Sequence, residues 1–262
     1  MNHYISNAVS NSYLQLEFPL IHVTEDVDTL KQIIENGFRF SYSKEALCDL
    51  NRCIEFSYPM VSFSHLRHDQ AKHILRTYGH LSIGMKSEWA IKNKLNPVLY
   101  FERNSSITNT ILEGFDVLNG IDTKTIKSSI ANSLIGERHK YYKQCFGISS
   151  FSKNFYGSLV RKEKTIDDHY CFGAESEWRL ILKKENIEPF VLSEENNKKF
   201  NKIVNKEFLT FNFDDIAYFG IEAKFEEDGI KETLIKKFNV TKEQVSKVKF
   251  HYDETRLVPD EG

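Results

Sequence analysis

Glu175, Glu177 and Arg179 are the residues whose types and spacing best suit chemistry in this sequence. They lie in the run Tyr170-Cys171-Phe172-Gly173-Ala174-Glu175-Ser176-Glu177-Trp178-Arg179-Leu180-Ile181-Leu182, whose alternation predicts a β-strand. A strand sends successive side chains to opposite faces. Ala174, Ser176, Trp178, Leu180 and Leu182 then share one face, and Glu175, Glu177 and Arg179 the other. Like charges two residues apart repel each other, so the pair needs an offset from Arg179, from solvent or from a bound ligand. One outcome is a solvated face with an internal ion pair. The other is a catalytic Glu-x-Glu strand, its carboxylates about 7 Å apart by strand rise.

A second cluster is His65, His68, Asp69 and His73. On a helix, residues four apart align, and three such ligands suffice for zinc. The spacing matches no established metal motif, and polar residues on a helix surface explain it equally, so no metal is assigned. With the basic, aromatic run His139-Lys140-Tyr141-Tyr142-Lys143, this group supports a nuclease as a third reading. Walker A, GxGxxG and GxSxG motifs are absent, which leaves P-loop, Rossmann and α/β-hydrolase readings without support.

The elements that must position these residues are mostly legible. Pro19-Leu20-Ile21-His22-Val23-Thr24 suits a buried strand. Thr24 and Asp26 can cap a following helix with the apolar stripe Val27, Leu30, Ile33 and Ile34, which Asn36-Gly37 ends. Phe38 to Ser43 is extended, Lys44 to Arg52 suits a short helix, Pro59 to His65 a strand and Asp69 to Arg76 a helix. Tyr78 to Met85 suits a strand with two glycines, where a backbone or ligand comes close. Ser87 can cap a helix through Asn93, Asn96-Pro97 signals a turn, and Val98 to Phe101 a strand. Helical periodicity over Ile107 to Leu118 and Thr123 to Leu134 marks an insertion at about 104–156. Helices follow at Glu194 to Val204 and Glu226 to Phe238, and strands at Phe208 to Phe213, Ile216 to Ile221 and Val245 to His251. No linker or repeat divides the chain. The expectation is one α+β domain over residues 1–262, with many short strands and helices inserted between them.

Composition narrows the classes. The 262 residues are 40% hydrophobic and 27% charged, enough for a packed core, and the net charge of −2 does not suit a strongly basic nucleic-acid binder. Twenty Phe and twelve Tyr suit strands and stacking walls. The four cysteines, Cys48, Cys53, Cys145 and Cys171, form no CxxC pair, so a reduced compartment is the simpler reading. With no signal-like or membrane-length apolar segment, the expectation is a soluble, cytoplasmic protein with no membrane partner.

Several segments keep an order that resembles the AbiGi-type abortive-infection proteins of bacteria. They are Ile21-His22-Val23-Thr24 with its helix and Asn36-Gly37-Phe38, Pro59-Met60-Val61-Ser62-Phe63-Ser64, Tyr78 to Ala90, Asn96-Pro97-Val98-Leu99-Tyr100, and Glu175-Ser176-Glu177-Trp178-Arg179. The resemblance covers roughly the first hundred residues and the Glu-Trp-Arg strand. It implies phage defence, with an antitoxin role in some descriptions. More distantly, the order His22, Ser62/Ser64, Glu175/Glu177 is similar to that of ADP-ribosyltransferases, including DarT-like toxins. That likeness implies an ADP-ribosyltransferase-like fold, α+β with a mixed, mostly antiparallel, split β-sheet core and inserted helices, and NAD as substrate.

NAD cleavage passes through an oxocarbenium-like sugar, so a carboxylate must meet developing positive charge. Glu177 would grip the ribose 2′-hydroxyl and Glu175 would position the acceptor, a nucleic acid or protein. Arg179 would keep both ionised or hold a phosphate. His22 and Thr24 would bind the cofactor, Ser62 and Ser64 would line the nicotinamide ribose, and Tyr78 or Phe63 would stack on the nicotinamide. Each also has a plain role: a core histidine, a helix cap, small sheet residues, core aromatics and a structural ion pair. The leading expectation is therefore an NAD-using transferase or NAD-cleaving toxin. The alternative is a non-catalytic antitoxin or sensor that binds a partner encoded in the same defence system.

Overall fold

The computed structural model describes residues 16–120, 147–161, 164–185, 187 and 194–252. The predicted helix over Thr123 to Leu134 and the run His139 to Lys143 lie outside them. In chain order the strands are β1 (Leu20–Thr24), β2 (Phe38–Arg39), β3 (Ser41–Cys48), β4 (Cys53–His65), β5 (Leu81–Met85), β6 (Asn96–Pro97), β7 (Leu99–Phe101), β8 (Ser152–Asn154), β9 (Tyr156–Arg161), β10 (Lys164–Cys171), β11 (Glu177–Ile181), β12 (Phe208–Leu209), β13 (Ile216–Ile221) and β14 (Lys249–Tyr252). Helices alternate with them, and most strand pairs are antiparallel, which makes the chain α+β. Among the described residues no helix is long and apolar enough to cross a membrane.

The chain divides into two compact units. The first takes Met1–Arg39, Ser62–Leu95 and Phe208–Gly262. At its centre β1 pairs antiparallel with β5 along its whole length and with the end of β4 through Leu20 and Ile21. On the far side of β5 lies antiparallel β13, with β14 parallel beyond it. The helix Val27–Asn36 starts where Asp26 Oδ1 accepts the Thr29 amide at 2.7 Å, so Asp26 rather than Thr24 is its cap. Leu30, Ile33 and Ile34 are buried beneath it, as the apolar stripe predicts. Gly37, at φ 97°, ends that helix by donating its amide to Ile33 O. Under the helix Lys72–Tyr78, Ile21, Ala71, Ile74, Leu75 and Tyr218 form one core, and the Tyr218 ring lies where a Cβ on Gly84 would be.

The second unit takes Phe40–Val61 and Asn96–Glu207. The antiparallel hairpin of β3 and β4 carries it, with β6 pairing antiparallel to β11. Its core is Leu47, Phe56, Tyr58, Met60, Leu112, Phe115 and Ile181, of which Leu112 and Phe115 come from the helix Ser106–Gly120. The short β7 and β8 run parallel, and β9 and β10 form a separate bulged hairpin.

Several expectations are corrected. Lys44 to Cys48 is strand, not helix, because every residue there finds a partner on β4, from Lys44 opposite Ser57 to Cys48 opposite Cys53. Tertiary pairing overrides the helix propensity of Lys-Glu-Ala-Leu. That register joins Cys48 to Cys53 in a disulfide, where the sequence had suggested reduced cysteines. Asn96-Pro97 is a short strand against Trp178 and Arg179. Ser87 donates its hydroxyl to Leu16 O and does not cap its helix, which Lys86 precedes with no side-chain bond. Val245 lies in the helix Lys242–Ser246, so only Lys249–Tyr252 remains as strand. The Glu-x-Glu strand begins at Glu177, since Phe172–Glu175 is a 3-10 turn.

Gly79, at φ 153°, joins the helix Lys72–Tyr78 to β5, and a Cβ there would run into the Thr24 carbonyl. Gly79→Ala is expected to lower stability by at least about 2 kcal/mol. Gly114→Ala, in a helix with nothing within 4 Å of the added carbon, is expected to be neutral or to stabilise by up to about 1 kcal/mol. Urea unfolding midpoints of the two variants check the contrast.

Candidate functional site

The turn before β11 sets the acidic pair. Gly173 leaves room for the Phe155 ring, and Ser176 takes a left-handed conformation at φ 46°. This kink takes Glu175 off the strand. Along β11 the alternation survives, but the faces are exchanged relative to hydropathy. Glu177, Arg179 and Ile181 are buried, whereas Trp178 and Leu180 are half-buried. Arg179 is 0% exposed, Glu175 4% and Glu177 7%. The charged face is therefore neither solvated nor open.

These charges survive burial by pairing. Arg179 Nε donates to Glu177 Oε1 at 2.6 Å and Nη2 to Glu177 Oε2 at 2.9 Å, a bidentate fork. The same guanidinium meets Glu45 Oε1 at 3.0 Å and donates from Nη1 to the Ser150 carbonyl at 3.2 Å. Lys153 Nζ lies 3.3 Å from both Glu175 Oε2 and Glu177 Oε2, and 4.1 Å above the centre of the Phe172 ring. The Glu177 amide donates to Tyr100 Oη at 2.8 Å. Nearby, Tyr58 Oη and Ser149 Oγ share a hydrogen bond of 2.8 Å.

Electrostatics follow from this packing. Burial pushes the Glu177 carboxyl up, but Arg179 and Lys153 outweigh it and hold the group well below the usual carboxylate range. Burial pulls the Lys153 ammonium down, yet Glu177, Glu45 and Glu175 raise it above its ordinary value. Burial raises the phenols of Tyr58 and Tyr100. Glu177, Lys153 and Arg179 are thus held in their charged forms. Both Glu177 oxygens are already engaged as acceptors.

The remaining predicted residues belong to the first unit. His22 Nδ1 bonds the Ser62 carbonyl at 2.9 Å, and its ring packs edge-on against Phe38 and beside Phe63, at 5.1 and 5.4 Å. Burial lowers its pKa despite that bond, which keeps it neutral at pH 7. Thr24 and Ser64 are buried, Ser62 is half-buried, and Tyr78 packs at the edge of the core around Ile74. The structure thus joins His22 with Ser62 in one unit, and Glu175, Glu177 and Arg179 in the other.

The histidine cluster disperses. Asp69 pairs with Arg67 at 2.6 Å, His73 Nδ1 bonds Gln70 O, and the His68 ring stacks on His251 at 4.5 Å. Among the described residues no group of three His, Cys, Asp or Glu could hold a metal ion. Lys153, Glu45, Tyr100 and Ser150 were missed. The one signal for a residue such as Lys153 was the charge imbalance of two glutamates against one arginine.

Residues 27–222 match the model of the AbiGi family, described as "Putative abortive phage resistance protein AbiGi, antitoxin". No curated protein and no solved structure matches the chain.

Removing one partner of a buried ion pair strands the other, at about 3–5 kcal/mol. Glu177→Gln is accordingly expected to destabilise the fold by about that amount, measured by urea unfolding at pH 7. The pH dependence has a defined sign. The folded carboxyl lies below its ordinary value of 4.5, so its contribution is complete above that value and is lost as pH falls towards the folded one. Stability measured from pH 6 down to pH 3 should fall less steeply in Glu177→Gln than in the natural chain.

Proposed function

Because the chain belongs to the AbiGi family, we propose that it is the antitoxin member of a phage-defence pair, acting by binding a partner protein and not by turning over NAD. The burial and pairing of Glu177 carry this reading. A carboxylate that stabilises an oxocarbenium-like ribose must be able to strengthen its contact in the transition state. Glu177 instead spends both oxygens on Arg179 and Lys153, and Glu175 shares Lys153. On this reading the Glu-x-Glu-x-Arg motif organises the second unit, and His22 is a core residue held by a backbone carbonyl.

Substituting Glu177 would not separate the two functions, since loss of fold and loss of catalysis look alike. NAD itself does. Purified chain incubated with NAD, alone and with DNA, RNA or infected-cell extract, is expected to release no nicotinamide. Co-expressed with the neighbouring gene of its defence system, it is expected to co-purify with that product and to relieve its toxicity. Partner binding should also raise the unfolding temperature of the chain in proportion to partner concentration. Nicotinamide release by the folded chain alone, with no partner captured, would restore the NAD-using toxin.

A further inference from the structure

We propose that Cys48 and Cys53 form a reversible thiol–disulfide switch at the end of the β3–β4 hairpin, entered through Cys53 and resolved by Cys48. The two are register partners with Cα atoms 4.1 Å apart, and their sulfurs are bonded. The turn between them is also held without the sulfurs. Asp49 Oδ1 accepts the amides of Asn51 and Arg52 at 2.7 and 2.8 Å, and the Asp49 amide donates to Arg52 O at 3.0 Å. Arg52 Nε closes the loop on Asp49 Oδ2 at 2.9 Å. These bonds close the turn independently of the sulfurs, so re-forming the S–S bond closes only a short loop.

Exposure separates the two roles. Cys48 is 5% exposed, and its amide and carbonyl are both bonded to the Asn154 side chain. Cys53 is exposed. Thiol–disulfide exchange requires a thiolate to reach a sulfur, so access decides which sulfur is attacked first. With glutathione disulfide as oxidant, the Cys53 thiolate attacks one of its sulfurs and one glutathione thiolate leaves. The Cys48 thiolate then attacks Cys53 Sγ, the Cys53–glutathione bond breaks, and a second glutathione leaves. Two cysteine thiols lose two protons and two electrons, and one glutathione disulfide becomes two glutathiones. Reduction by glutathione retraces the same steps.

The hairpin end touches what the second unit depends on. Leu47 and Phe56 share a core with Leu112 and Phe115, and Arg52 reaches Asp116 on the same helix. Glu45, three residues before Cys48 on β3, holds Arg179, and Asn154 follows Lys153 on β8. In a compartment that keeps thiols reduced, a cysteine pair of this kind acts as a sensor. No partner protein enters this inference, so it does not stand or fall with the antitoxin reading.

The test replaces Cys145 and Cys171 with alanine and equilibrates the folded chain across ratios of glutathione to its disulfide, followed by alkylation and mass measurement. One two-electron transition is expected, from two alkylatable thiols to none. In that background Cys48→Ser should accumulate one glutathione per chain, and Cys53→Ser should do so at least about tenfold more slowly, because its remaining thiol is buried. Amide exchange in the hairpin and in the helix Ser106–Gly120 should be faster in the reduced state. A pair that stays in one redox state at every ratio, or equal trapping by the two variants, would overturn the switch. Peptide mapping of Cys48 and Cys53 in the natural chain gives the same reading if the alanine background does not fold.

Discussion

A guanidinium with no solvent contact must be neutralised by the chain around it, and Arg179 imposes that demand on the second unit. Its charge cannot be relieved by losing a proton, so every neighbour must answer it. Glu177 answers from the same strand, Glu45 from β3 and the Ser150 carbonyl from just before β8. Two carboxylates around one cation then require a second cation, and Lys153 supplies it while also holding Glu175 from the preceding turn. The contacts with Glu45, Ser150 and Lys153 tie segments remote in sequence to β11. Desolvating five charged groups offsets much of what their attraction contributes. A slip of β3, β8 or β11 by one residue would break these pairings and leave a charge buried without a partner.

The same demand explains what the sequence could and could not disclose. The alternation from Ala174 to Leu182 predicts a strand that the structure confines to Glu177–Ile181, and the repulsion between Glu175 and Glu177 calls for an offset that Lys153 supplies. The covered face was not legible, because hydropathy assigns Trp178 and Leu180 inward and the charges outward. Only the distant residues Glu45 and Lys153 make the opposite arrangement stable, and neither lies near Arg179 in sequence. Glu45 was further hidden by its neighbours: Lys44 to Leu47 favours helix locally, and only pairing with β4 makes it strand. Where local signals suffice, the reading holds. Asp26 and Gly37 bound the helix Val27–Asn36, Ile216–Ile221 forms a buried strand, and Glu194–Val204 is a helix.

The His–Ser–Glu order also changes meaning once its atoms are placed. His22 bonds the carbonyl of Ser62, an acceptor that any residue at that position would offer. The serine hydroxyl takes no part in that bond. The imidazole sits among Phe38 and Phe63, where burial favours the neutral ring. A buried structural cluster and a catalytic site draw on the same residue types because both place charges at low dielectric. They differ in what remains available. A catalytic carboxylate keeps an oxygen free for charge that develops during reaction, whereas a structural one commits its oxygens to charge already present. Glu177 commits both, to a cation that can neither leave nor neutralise, and that commitment is the observation on which the antitoxin proposal rests.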